Sequence, residues 1–378
     1  MRIRSLVILT VLFAVVGTAA ADIVVEPTGR IYVNWHMNIS GYPDWDARKG
    51  MDDQSTFEAQ RVYLGLRAMF GTDWAAVVMA DAGQQTTPKV TVVKDSEGNL
   101  KDVKVTDQKG PYNFYVKYAY GQYQPLPYIG LRLGAQPVPY IFRYEDAWGY
   151  RWVEKTPNDR VGWDSSADWA FAAYGDFPQG YGAYMVMVRN GEGYNKLDID
   201  AGKAFHADFR LNPAPGNEYS KGLQLLGAYR LAAVQAHKPG IASQMFDGLL
   251  SYQTALPHDL GISAAVGYDW LSTEKAHSNV IVGSIVHGWV TLTLPAGFAL
   301  FKRLDYYDPD MKNDPKTHGY RDEQAYELAG VSYTPIKGVD LALDYRGNFY
   351  DAKVKDRDGN EKRKSPDHFF YVNAQYKF

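Results

Sequence analysis

Residues 368–378 read HFFYVNAQYKF, a strict alternation. Phe370, Val372, Ala374, Tyr376 and Phe378 fall on one face of an extended strand; Tyr371, Asn373, Gln375 and Lys377 fall on the other. One face suits lipid and the other suits water. The same division runs through GRIYVNWHMNI (29–39), where Ile31, Val33, Trp35, Met37 and Ile39 oppose Arg30, Tyr32, Asn34, His36 and Asn38. It returns in RVYLGLRAMF (61–70), where Val62, Leu64, Leu66, Ala68 and Phe70 oppose Arg61, Tyr63, Gly65 and Arg67. A soluble sandwich alternates as well, but its strands average about five or six residues. These segments run to about ten or more with aromatics near their ends, which is the length and girdle of a membrane-spanning strand.

Carried along the chain, the template predicts an all-β fold: an antiparallel transmembrane barrel of about sixteen strands. The connections alternate. FGTDW, QPLPY, DFPQG, ALPHDLG, LPAG and TPIKG are tight and rich in Pro or Gly, whereas 40–55, 85–111, 139–165, 309–322 and 351–366 are long and polar. Short periplasmic turns and long extracellular loops are the asymmetry of an outer-membrane barrel. Two long loops, VTVVKDSEGNLKDVKVT and YDAKVKDRDGNEKRK, alternate around a Gly-Asn pair and are expected to rise as hairpins. DRDGNE within the second lacks the ligand spacing of a calcium loop and reads as a turn.

The first 21 residues, MRIRSLVILTVLFAVVGTAAA, carry Arg2 and Arg4, an apolar run and a small-residue triplet, the order of a cleavable secretory signal cut after Ala21. The barrel is then expected over 22–378. No residue is cysteine, so disulfides, thiolate metal sites and covalent c-type haem within this chain are excluded. With 29 Tyr, 9 Trp and a mean hydropathy of −0.36, the chain is rich in amphipathic aromatics yet polar on average. Its net charge of −3 lacks the basic excess of a nucleic-acid partner.

LRLGAQPVPYIFRYEDAWG (131–149), followed by DRVGWDSSADWAFAAYGDFPQGYGAYMVMVRNGEGYN (159–195), is similar to the phosphate-selective porin O and P family. The strand from Leu131 to Gln136 running into a Pro loop, Asp159-Arg160 with Gly162, and Asn190-Gly191-Glu192-Gly193 carry the resemblance, and FEAQRVYLGLRAMFGTDWAAVVMADAG resembles the family's early hairpin. The resemblance implies a homotrimeric sixteen-stranded pore in the outer membrane, among lipid and lipopolysaccharide, with the third loop (139–165) folded into the lumen. Tyr376 and Phe378 on the terminal strand resemble the signal read by barrel-assembly machinery.

Strand parity turns Arg61, Arg67, Lys117, Arg132, Arg189, Arg210, Arg230 and Arg346 toward the lumen, against Asp168, Asp208, Asp247, Asp269, Asp340 and Asp344. Charged rings in a pore select by sign, while scattered opposite charges pair and satisfy one another. The third loop mixes Arg143, Arg151, Lys155 and Arg160 with Glu145, Asp146, Glu154 and Asp159. Folded inward, its acids are expected to face the basic wall of Arg61, Arg67 and Arg132 across the narrowest point, leaving a modest anion preference. An enzyme needs a nucleophile or acid oriented beside a histidine; His36, His206 and His287 have no such partner in sequence. The expectation is a porin, a passive channel for small hydrophilic solutes or ions, needing no cofactor, metal or catalytic residue. The alternative is a barrel that sheathes a multihaem cytochrome.

Overall fold

The computed structural model describes residues 23–46, 48–51, 53–94, 100–195, 202–232, 243–275, 279–311, 323–355 and 360–378. The expected leader lies outside these residues, as do Gly98, Asn99, Gly359 and most of DRDGNE.

Sixteen strands close into one antiparallel barrel. The first eight are β1 (Ile23–Asn38), β2 (Ser55–Phe70), β3 (Trp74–Lys94), β4 (Leu100–Leu126), β5 (Ile129–Pro137), β6 (Ala167–Phe177), β7 (Gly182–Arg189) and β8 (Ala204–Leu211). Next come β9 (Leu223–Ala232), β10 (Ser243–Leu256), β11 (Leu260–Lys275), β12 (Asn279–Thr293), β13 (Phe298–Asp308), β14 (Gln324–Ile336) and β15 (Val339–Tyr350). A small separate hairpin, β16 (Lys353–Lys355) and β17 (Glu361–Arg363), precedes the closing strand β18 (Asp367–Lys377). Each barrel strand pairs with its neighbour, and β18 lies between β1 and β15. Closure leaves no unpaired edge, the condition for spanning lipid with strands.

The expected hairpin over 85–111 is present as backbone pairing from Thr86–Lys109 to Lys94–Leu100. The loop alternation is less regular than expected. Pairing of Lys275 with Asn279 carries β11 and β12 to a link of only 276–278 at the long-loop end. At the other end, RLNPAPGNEYSKG is, as its length leads one to expect, longer than the tight connections: the Lys221 and Leu223 N–H groups donate to the Asn217 and Ser220 carbonyls within it.

β13 shows why the period makes a barrel. Phe298, Leu300, Leu304 and Tyr306 point outward at 42–52% exposure, while Ala299, Phe301, Arg303 and Asp305 are buried on the bore side. Outward aromatics collect near the short-turn rim, where Trp74 stacks on Tyr123 and Phe298 on Tyr333, with ring centroids 4.4 and 4.6 Å apart. Such amphipathic rings suit a membrane interface.

Candidate functional site

The bore is shaped by residues 138–166, which begin at the end of β5 and return to β6. Helix α1 (Pro139–Trp148) starts with Pro at its first turn, where a missing N–H costs nothing. It ends at Gly149, whose φ of 75° lets its N–H reach the Glu145 carbonyl. Tyr140, Tyr144 and Trp148 recur every fourth residue and form one buried face. Helix α2 (Pro157–Arg160) is a single turn capped by Thr156, whose hydroxyl accepts from the Asp159 N–H.

This segment crosses the bore and touches every strand from β8 to β15. Arg143 Nε donates to Asp208 on β8 at 2.7 Å, and Arg230 on β9 donates to the Trp163 carbonyl at 2.9 Å. Asn158 donates to Asp247 on β10, Tyr140 to Asp269 on β11, and the Tyr144 hydroxyl meets His287 on β12. Arg303 on β13 donates to the Lys155 carbonyl, and Asp305 beside it pairs with Arg160 at 3.5 Å. On β14, Ser332 meets the Tyr150 hydroxyl and Tyr326 donates to Glu154 at 2.8 Å; Arg346 on β15 also pairs with Glu154, at 3.3 Å. Between these polar ties lies an apolar core inside the barrel: Tyr144, Trp148 and Trp152 pack with Leu226, Leu249, Trp289, Phe301 and Leu328.

The filled half leaves an open vestibule of about 1030 Å³ along the first strands. Its lining includes Glu26 and Thr28 from the start of β1, Gln124 from the end of β4, Asp176 from the end of β6 and Lys377 from the end of β18, so it opens toward the short-turn end. Arg67, Lys117, Arg132 and Arg210 line it, as do Arg143, Glu145, Asp146 and Arg151 from the crossing segment. Lys117 donates to the Tyr63 hydroxyl at 3.0 Å. Arg61 is turned to Asp81 at 3.3 Å, an acid that also receives the Tyr194 hydroxyl.

Other lumen-facing charges are sealed away from this space. Arg189 and Arg230 grip Asp164 beside α2, and Arg346 is held by Asp344 and Glu154. Glu154, Asp159 and Arg160 therefore do not face Arg61, Arg67 and Arg132: Glu154 and Arg160 reach the β13–β15 wall, and Asp159 pairs with Lys155. Of the acids expected at that opposition, Glu145 is taken by Arg151 at 2.7 Å, and Asp146 alone lines the vestibule without an ion pair among the described residues. The reason is reach. The segment is long enough to cross the bore, and its acids find buried arginines on the far side.

His287 and Asp269 do meet, at 3.4 Å, a contact not visible in sequence because they sit on different strands. Both are fully enclosed behind α1 with tyrosines as neighbours, so the pair is structural. Arg303, Asp305, Asp81, Asp164 and the inward aromatics Trp289 and Tyr326 were not among the expected lumen residues. The parity of β13 does carry Arg303 and Asp305. On the terminal strand, Tyr376 and Phe378 both point outward, at 43% and 67% exposure.

No protein-family model and no curated protein matches the sequence. Solved structures match over nearly the whole chain. OmpT of Vibrio cholerae, described as outer-membrane expressed, aligns with a TM-score of 0.60 at 10% identity, over 95% of this chain and 99% of its own. An anion-selective porin from Comamonas acidovorans aligns at 0.57 and 12% identity, over 94% and 100%. The outer membrane channel DcaP of Acinetobacter baumannii aligns at 0.56 and 14% identity, over 95% and 99%. The chain shares the barrel fold of these outer-membrane proteins, and its outward apolar face suits an integral barrel.

Proposed function

We propose that the protein is an outer-membrane porin, a passive channel for small hydrophilic solutes and ions with a modest preference for anions. The observation that carries this reading is the vestibule, where Arg67, Lys117, Arg132 and Arg210 stand without a carboxylate ion pair among the described residues and outnumber the acids Glu26, Asp146 and Asp176 that line it in the same state. A solute in that space feels the unpaired bases, because low-dielectric walls focus their field. No covalent step and no cofactor enters this mechanism. The channel reading is preferred to the sheath alternative because the crossing segment packs against the inner wall and narrows the room left for a guest protein.

The proposal extends to a homotrimer assembled by barrel-assembly machinery and seated among lipid and lipopolysaccharide. Two outward features support association between copies. An apolar groove of about 660 Å³ runs over β1, β2, β13–β15 and β18, and Lys302 pairs with Glu327 at 2.8 Å on the same side. A charged pair is better accommodated against protein than against lipid tails.

Planar-bilayer recording with an ion-substitution series tests the channel reading. In a salt gradient the zero-current potential should favour chloride modestly, more so at low salt, since screening extends only about 10 Å at 0.1 M. Replacing Arg67, Arg132 and Arg210 together by Ala should move it toward cations. No conductance at all, or no shift in the triple variant, contradicts the proposal.

A further inference from the structure

The chemistry of the vestibule narrows the solute, an inference that rests on the channel reading above. The Arg132 guanidinium lies over the rings of Tyr120 and Tyr174, 4.6 and 4.7 Å from their centroids. With its charge set beside two aromatic rings, the guanidinium offers its N–H donors to a ligand. Nη2 donates to Gln122 at 3.3 Å and Nε is enclosed with no acceptor among the described residues, so a solute meets the outer, Nη side of the fork. Arg67 lines the same wall within electrostatic range of Tyr174.

A guanidinium edge offers parallel N–H donors that match a planar carboxylate in its own plane. The two tyrosine rings beside it give a ligand's body an aromatic surface to pack on. A compact tetrahedral anion would use the charge and leave these rings bare, and a neutral ring would leave the guanidinium charge without a counter-ion. We propose that the vestibule is a binding site for small aromatic carboxylates, with the carboxylate on the edge of Arg132, supported by the charge of Arg67, and the ring against the tyrosine wall. A weak site of this kind raises the local concentration of its solute and still lets it leave, as conduction requires.

The test is equilibrium dialysis of benzoate against the folded barrel in detergent, with acetate, benzyl alcohol and inorganic phosphate as comparisons. Benzoate should be retained at least ~5-fold more strongly than each of the three, because only it has both charge and a ring to stack. Arg132→Lys keeps the charge but loses the planar fork, and should weaken benzoate binding by ~10-fold. Arg67→Ala should weaken it less, and serves as the second variant if Arg132→Lys does not give a heat-modifiable barrel. Equal retention of acetate, stronger retention of phosphate, or unchanged binding in the folded variants overturns the inference. A barrel that conducts but ignores benzoate loses only this inference. One that binds benzoate but never conducts loses the channel reading instead.

Discussion

Phe378 joins the last residue to the first strand. Its N–H donates to the Gly29 carbonyl at 3.1 Å, its own carbonyl accepts from the Gly29 N–H at 2.8 Å, and its ring lies where a Cβ on Gly29 would sit. Gly29→Val should therefore drive the ring off the seam, an overpacking that costs about 1–3 kcal/mol. The variant should show less heat-modifiable barrel on a gel than the parent, and equal amounts would contradict this role. At the opposite rim a polar clasp does comparable work. Arg48 donates to Asp46 through Nε and Nη2 at 3.0 and 2.8 Å, and to Asp367 at 2.5 Å, with its guanidinium 4.4 Å from the Tyr42 ring. The hydrogen bonds from Arg48 hold the Asp46 carboxyl down at about 2. A carboxyl lowered in the fold stabilises it fully above the ordinary value of 3.8 and loses that contribution as pH falls toward 2. Hydrogen-exchange protection in residues 39–46, taken relative to the intrinsic rate at each pH, should thus fall between those limits, and Arg48→Ala should abolish that pH dependence. Unaltered pH dependence in the variant would assign the effect to another group.

At the scale of elements, the strands were legible in sequence and the interior was not. Alternation in 29–39, 61–70 and 368–378 needs only neighbouring residues, so it located the barrel and turned Lys117, Asp168 and Asp247 inward. The path of residues 138–166 across the bore depends on contacts between residues far apart, such as Trp148 with Trp289 at 5.4 Å and Tyr144 with His287. Charge alone also gives no sign of Leu226, Leu249 and Leu328, which make an apolar bed unusual for a wet lumen. Their presence was written in the same parity. Trp148→Ala should leave a cavity in that bed, costing about 3–5 kcal/mol of local stability. α1 would then loosen, and single-channel conductance should rise with larger fluctuations. Conductance equal to the parent's would mean that the solute path does not depend on how the segment is seated.

For the whole molecule, the outward pair Lys302 and Glu327 marks the side on which the proposed contact between copies would fall. Removing one partner strands a charge there, at a cost of up to about 2–4 kcal/mol for a basic group near mid-bilayer. Exchanging both for Leu is close to neutral. Glu327→Leu alone should therefore lower the temperature at which an oligomer dissociates on a native gel, and adding Lys302→Leu should restore much of it. No effect of the single change would place this pair outside any contact between copies. The crossing segment has a mechanical consequence of another sort. Anchored covalently at β5 and β6 and fastened to each stave from β8 to β15, it acts as an internal brace across a thin-walled tube. Squeezing the wall out of round would have to break several buried ties at once, so lateral pressure from the bilayer meets a stiff cross-section where an empty cylinder would yield.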